Sequence, residues 1–275
     1  LTYTGLWTGR EIWLQLPVGI ILNGFEVFLL VFVRMTGLFV VAPIFGRRNV
    51  PAYFKIGFSF FISLILINTT VLQAVEYTDT LPGYVLLVMK EFLVGLSMGF
   101  VAYLSYTAIY IAGELIDMKI GFGVVNVIDP MSNIQVPITS NFYFIASMLI
   151  FLSIGGHHML IKALFDSFSS LPPGTAAYTG GAHQIIMNLF STVLATGFKM
   201  AAPIVAAVLI ADVALGTISR MVPQMNVFVI GMPLKIIVGL IIVVITIPMF
   251  VEIMKSVFEL MGTSVENYLK ELKPG

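Results

Sequence analysis

Apolar residues run through this chain in six long stretches, separated by short polar or Pro/Gly-rich breaks. The stretches extend roughly from Val18 to Val41, Phe54 to Leu72, Tyr84 to Ala112, Ile138 to Gly155, Ile185 to Gly216 and Val227 to Val251. A helix needs ~20 predominantly apolar residues to cross the hydrocarbon core of a bilayer, so the pattern predicts about six long membrane helices. None of the stretches alternates with period two over a barrel-strand length, which argues against a transmembrane β-barrel. The breaks hold turn-forming residues: "APIFGRRNVP", "TDTLPG", "GELIDMKIGFGVVNVIDPMSNIQVP", "SLPPGTAAYTGG" and "SRMVPQMN". No repeat of solenoid length is present.

The apolar stretches are themselves interrupted. Glu26, Arg34, Lys90, Glu91, Lys199 and Asp212 fall within or near them. A lone charge at the bilayer centre costs ~2.5–3.5 kcal/mol even on the translocon scale, so each must be paired, hydrated or shielded by protein. Small residues recur at four-residue spacing in Gly95/Gly99, Ala108/Ala112, Ala202/Ala206 and Ala207/Ala211, a pattern that lets helix backbones approach closely in lipid. Pro203, Pro233 and Pro248 each remove an amide donor and kink or break a helix. Two architectures accommodate these features: a chain packed inside a larger assembly, or a self-contained six-helix bundle.

Composition agrees with the membrane assignment. Hydrophobic residues make up 59% of the 275 and charged residues 10%, against about 25% charged in an ordinary soluble domain. The formal net charge is zero, so nothing points to nucleic acid. The absence of cysteine rules out disulfides, thiolate metal sites and cysteine nucleophiles. The opening "LTYTGLWTGREIWLQLP" lacks a basic n-region and a small-residue cleavage site and reads as mature protein. Lys and Arg favour cytoplasmic loops. Arg47, Arg48 and Lys55 mark the first break, Glu76 and Asp79 the second, and Arg220 and Lys235 the fifth. Breaks one, three and five are therefore expected on the cytoplasmic side, and six spans put both termini outside.

Catalytic chemistry finds little support. His157 and His158 are adjacent, and neighbours on a helix point about 100° apart, so the pair does not chelate one metal. No serine stands in a nucleophile-elbow motif. "IGFGVV" lacks the third glycine and the βαβ setting of a dinucleotide site. No enzyme, no metal and no cofactor is expected. Glu114 and Asp117 stand at i, i+3 and share a helix face if the helix continues. Together with Lys119 they form either a proton or cation relay or salt-bridge contacts to neighbouring helices or subunits. "GFGVVNVIDP", residues 121–130, is too short and glycine-rich for a span and too apolar for a solvated loop. Such a segment folds against protein, as re-entrant or pore-lining backbone or as a loop packed on its own bundle.

Three segments together resemble one family: "RMTGLFVVAPIFGRRNVP" (Arg34 to Pro51), "GELIDMKIGFGVVNVIDPMSNIQVP" (Gly113 to Pro137) and "ISRMVPQMNVFVIGMPLKIIVGL" (Ile218 to Leu240). They are similar to the FliR/SctT family of type III export-gate subunits, in order and over most of the chain. "GGHHMLIKALFDSFSSLPPG" resembles the flagellar rather than the injectisome branch. The resemblance implies an all-α integral membrane protein. Residues 1–182 would form a FliP-like helical part that includes the loop at about 113–137. Residues 183–275 would form a FliQ-like helical hairpin with its cytoplasmic tip at Arg220, Pro223, Gln224 and Asn226.

In the family one such copy joins several copies of FliP and FliQ in a helical gate, and FlhB associates with it. The resemblance therefore implies a structural and gating subunit in the bacterial inner membrane, within the flagellar basal body. It would pass unfolded flagellar proteins and be required for flagellum assembly. The loop after the third helix would be a pore plug, carried over to Gly121, Phe122, Gly123, Val124, Val125, Asn126, Val127 and Ile128. Its four branched residues would fill the lumen and Gly121 and Gly123 would act as hinges. Asp129 and Pro130 would end it, since the residue before proline avoids helix. Glu114, Asp117 and Lys119 would anchor its base and make charge contacts between subunits. The alternatives are the injectisome member of the same family or a small-solute secondary transporter. A transporter would use Glu114, Asp117 and Lys119 as a coupling site, but the chain lacks the paired interruptions of two matching halves usual in transporters.

Overall fold

The computed structural model describes residues 8–47, 49–69, 80–122, 137–178, 180–222 and 226–273. These form seven helices: α1 (Thr8–Val41), α2 (Ala52–Thr69), α3 (Leu81–Ile120), α4 (Ile138–Ser153), α5 (Gly156–Ser170), α6 (Gly180–Met221) and α7 (Val227–Glu271). Four of the six apolar stretches lie wholly in helices; the second lies in α2 as far as it is described, and the fourth runs from α4 into the turn at Ile154 and Gly155. Four helices are long and apolar enough to cross a membrane. The helices α4 and α5 make a fifth span if taken together, bent by 64° at their junction. Gly155, at φ +73°, supplies the left-handed residue that this junction needs. The apolar part of α2, Ala52–Ile67, is shorter. Pro203 lies inside α6, and Pro233 and Pro248 lie inside α7; both helices continue through them.

Two features extend beyond the apolar stretches. The helix α5 carries Leu160, Ala163, Leu164 and Phe168 at helical spacing, and all four are buried. The last third of α7 is amphipathic. Met254, Val257, Phe258, Met261 and Val265 are buried, while Glu252, Lys255, Glu259 and Glu266 are exposed.

The described residues group into two compact units. One draws on Leu1–Phe100, Lys162–Thr179 and Tyr268–Gly275. Within it, α1 and the first half of α3 cross at backbone contact. A Cβ on Gly37 would stand 2.6 Å from the Phe92 carbonyl oxygen, one on Gly99 would stand 2.7 Å from the Leu38 carbonyl oxygen, and one on Gly95 would overlap the Arg34 carbonyl. In lipid there is no hydrophobic drive between helices, so this close packing holds the crossing together. On another face of α1, phenylalanines bind α2: Phe28 meets Phe60 edge-on at 5.4 Å and Phe39 meets Phe58 at 5.1 Å, arrangements that favour the ring quadrupoles.

The same unit holds a fully buried ion pair. Arg34 Nε donates to Glu91 Oε2 at 2.6 Å with both side chains inaccessible. Arg34 Nη1 donates to the Leu171 carbonyl at 3.0 Å and to Ser167 at 3.3 Å. Its guanidinium carbon lies 4.2 Å from the centre of the Phe168 ring. Glu91 Oε1 accepts from the Gly174 amide at 2.7 Å, and Lys90 donates to the Gly174 carbonyl at 2.9 Å. A buried pair is tolerable only when further hydrogen bonds satisfy the remaining polar atoms. Here those of Arg34 Nη1 and Glu91 Oε1 come from the end of α5 and the turn after it, while Arg34 Nη2 is buried without a hydrogen-bond partner among the described residues.

The other unit draws on Val101–Ile161 and Gly180–Asn267. Its core joins the second half of α3 with α4, α6 and α7. Tyr106 of α3 bonds Ser147 of α4 through its hydroxyl and lies 6.1 Å from Phe258 of α7. Tyr143 of α4 stacks on Phe250 of α7 at 4.5 Å. Gly197 of α6 faces Ile111 and the Ala108 carbonyl so closely that a Cβ would stand 2.8 Å from Ile111 and 3.1 Å from that carbonyl. Lys235 of α7 bridges to Asp212 of α6 at 2.8 Å.

Candidate functional site

The segment that resembles a plug begins where α3 ends, and one residue organises that end. The Asp117 carbonyl accepts the amides of Gly121 and Phe122, each at 3.1 Å. Gly121 is at φ +102°. This is a glycine-terminated helix, in which a left-handed residue turns the last amides back onto the final turn. The side chain of the same aspartate reaches the start of α4. Its oxygens accept the Thr139 amide at 2.9 and 3.1 Å and the Ser140 amide at 3.3 Å. The preceding residue, Pro137, is extended and offers no side-chain cap. Asp117 thus caps α4 from another helix. It satisfies amides left without partners inside α4, and its negative charge suits the positive end of the helix dipole.

The clasp is tight. Asp117 is 5% exposed. A Cβ on Gly113, one turn earlier in α3, would overlap the Cα and hydroxyl of Ser140. Only glycine lets the two helices meet there. The Ser140 hydroxyl is buried with no hydrogen-bond partner among the described residues. The last turn of α3 and the first turn of α4 are therefore pinned together, so the chain between them leaves and returns at one place.

The sequence-predicted residues separate as follows. Gly121 and Phe122 form the turn just described. Gly123, Val124, Val125, Asn126, Val127, Ile128, Asp129 and Pro130 lie outside the described residues. Of the three proposed base residues, only Asp117 makes the clasp. Glu114 and Lys119 are exposed on α3, with no ion-pair partner among the described residues. Of the residues expected at a hairpin tip, Arg220 is exposed in the last turn of α6, where a cation suits the negative helix end. Asn226 opens α7: its side-chain oxygen accepts the Val229 amide at 3.3 Å, the usual work of an N-cap asparagine. Pro223 and Gln224 lie outside the described residues.

Sequence reasoning singled out Asp117 but missed its partner. A carboxylate in the last turn of a helix is unfavourable with the dipole unless something else needs it, and that was the available signal. His157 and His158 stand at the α4–α5 bend with rings 4.0 Å apart. No group of three or more possible metal ligands occurs among the described residues.

These features define an all-helical membrane protein whose third and fourth helices clasp the ends of an apolar connecting segment. Residues 25–261 match the family model described as "Bacterial export proteins, family 1". The chain is 38% identical over 252 residues to the flagellar biosynthetic protein FliR of Bacillus subtilis (strain 168), spanning 90% of this chain and 96% of that one. It is 29% identical over 245 residues to FliR of Aquifex aeolicus (strain VF5), spanning 89% and 94%. It is 27% identical over 239 residues to FliR of Escherichia coli (strain K12), spanning 87% and 91%. The chain belongs to this family of bacterial export proteins, that of the flagellar biosynthetic protein FliR.

Proposed function

We propose that this protein is a structural and gating subunit of the flagellar type III export gate, in the bacterial inner membrane at the flagellar basal body. It forms part of the pore through which unfolded flagellar proteins pass, and flagellum assembly requires it. Its partners are FliP, FliQ and FlhB. Residues 1–182 are the FliP-like part, and residues 183–275 supply the FliQ-like hairpin with its tip at Arg220 and Asn226. The segment from Gly121 to Ile128 is a plug that helps keep the pore closed.

The observation that carries the gating reading is the Asp117 clasp. It holds both ends of an apolar segment at one point. A segment so held can occupy a lumen without dragging its flanking helices when it moves. Val124, Val125, Val127 and Ile128 give it a surface that blocks ions by volume and by dewetting. Catalysis has no part in this reading, in which opening and closing are conformational.

The test is ion conductance. The purified complex is reconstituted in planar bilayers with the wild-type chain and with residues 121–128 deleted. The deletion is expected to leave the complex assembled and to produce a persistent conductance. Val125→Asp and Ile128→Asp, which add charge without shortening the chain, are expected to leak to a smaller degree. An assembled deletion complex as tight as wild type would refute the plug.

A further inference from the structure

The helix α6 has one face that its own chain uses and one that it does not. Gly197 packs on α3, and Val193, Met200, Ala201, Ile204 and Val208 are buried beside it. Lys199 is two residues on, about 200° round the helix, and is exposed. Along its face Ala195, Ala202, Ala206, Ile210 and Val213 are also exposed. Lys199 has no ion-pair or hydrogen-bond partner among the described residues.

Its position makes that exposure hard to sustain in lipid. Any stretch of α6 as long as the ~20 residues that cross the core, or longer, includes Lys199 or Asp212. Asp212 is matched by Lys235; Lys199 has no such match. Lys199 stands about 28 Å from the start of α6 and about 33 Å from its end at 1.5 Å per residue. The same level is polar a second time. Pro203, four residues on, has no amide to give the Lys199 carbonyl. An ammonium and a carbonyl without its helical donor thus stand together on a mostly apolar helix, where unsatisfied polar groups cost several kcal/mol each.

We infer that this face of α6 is an interface with a membrane helix of a neighbouring subunit, and that the helix presents a carboxylate to Lys199. Charge complementarity selects the carboxylate. The short side chains on either side only set how closely the helices approach. The inference rests on the multi-subunit reading above and adds to it the residue that recognises the neighbour and the chemistry of its partner.

The test uses the assembled complex from mild detergent. Native gels compare wild type with Lys199→Arg, Lys199→Met and Lys199→Glu. Arg is expected to keep the complex. Met and Glu are expected to lower its yield ~10-fold or more, a loss of at least about 1.4 kcal/mol, with the amount of chain in the membrane unchanged. Because the protein has no cysteine, Lys199→Cys adds a unique thiol. That thiol is expected to resist a charged, membrane-impermeant maleimide in whatever complex forms and to react once the complex is dissociated. Full assembly of the Glu variant overturns the inference. So does a thiol that reacts within the complex, which would place the face on water. A third contrary result is a wild-type complex that needs anionic lipid while the Met variant does not, which would assign Lys199 to a headgroup. A wild-type chain that runs alone would defeat the multi-subunit reading itself; the other results leave that reading standing.

Discussion

The pair α1 and α3 and the pair α6 and α7 solve the same problem in opposite ways. All four helices are apolar enough to span, yet 39% of the span residues of α1 and of α3 are buried within the chain, against 22% for α6 and 17% for α7. The first pair interlocks through Gly37, Gly95 and Gly99 and buries Arg34 and Glu91 against each other in one hydrogen-bonded network. The second pair keeps an ion pair that is part exposed, Lys235 with Asp212. It also leaves many large side chains uncovered, including Ile210, Val213, Val244 and Ile245. The difference teaches where the chain completes itself and where it waits for something else. The buried arginine finds its counter-ion within one polypeptide. A long helix with an open apolar face and a lysine that has no ion-pair partner among the described residues is not complete in that way.

That contrast is sharpest at Arg34 and Glu91. Arg34→Leu or Glu91→Leu alone strands a buried charge and is expected to cost ~3–5 kcal/mol. The double variant is expected to recover a large part of that loss, because no ion is then left unpaired. Thermal unfolding of the purified protein in detergent measures both, and strictly additive losses would mean that the pair is not coupled. The clasp at α4 comes next. Asp117→Ala is expected to cost ~1–2 kcal/mol, the range of a lost N-cap, with Asp117→Asn costing less. Hydrogen exchange at the Thr139 and Ser140 amides is expected to quicken in the Ala variant, and unchanged protection there would show that the carboxylate is not their partner.

The smallest effect is expected between α6 and α7. Asp212 is 39% exposed in its pair with Lys235, and partly exposed pairs contribute little. Asp212→Asn is expected to shift the stability of the isolated protein by ~1 kcal/mol or less. A loss as large as that at Glu91 would erase the distinction between the two helix pairs.

Much of the helical layout was legible in the sequence. The six apolar stretches mark six of the seven helices because apolar length is a local property. The spacing of Gly95 and Gly99 announced a close crossing, and Ala108 and Ala112 are buried in α3. The same spacing in Ala202 and Ala206 announced nothing the chain itself uses, since both are exposed. The helix α5 escaped notice because Lys162 and Asp166 interrupt its apolar run, although Leu160, Ala163, Leu164 and Phe168 keep the helical period. The charged outer face of α7 hid its continuation past Val251 in the same way. The site was half legible. The aspartate at position 117 could be flagged from its place, but not the amides it caps, which lie 22 and 23 residues further on.

By itself the sequence determined that the chain is helical, that it belongs with membrane proteins, and which charges and glycines demanded an explanation. Those are consequences of side-chain hydropathy and backbone freedom, both readable one segment at a time. Tertiary structure alone decided that Arg34 meets Glu91 rather than Glu26, that Asp117 serves α4 while Glu114 stays free of ion pairs among the described residues, and that Gly197 is packed while Lys199 is open. The pairings depend on which helix faces meet. In a chain where nearly every face is apolar, hydropathy does not distinguish one face from another; shape and the matching of a few polar groups do.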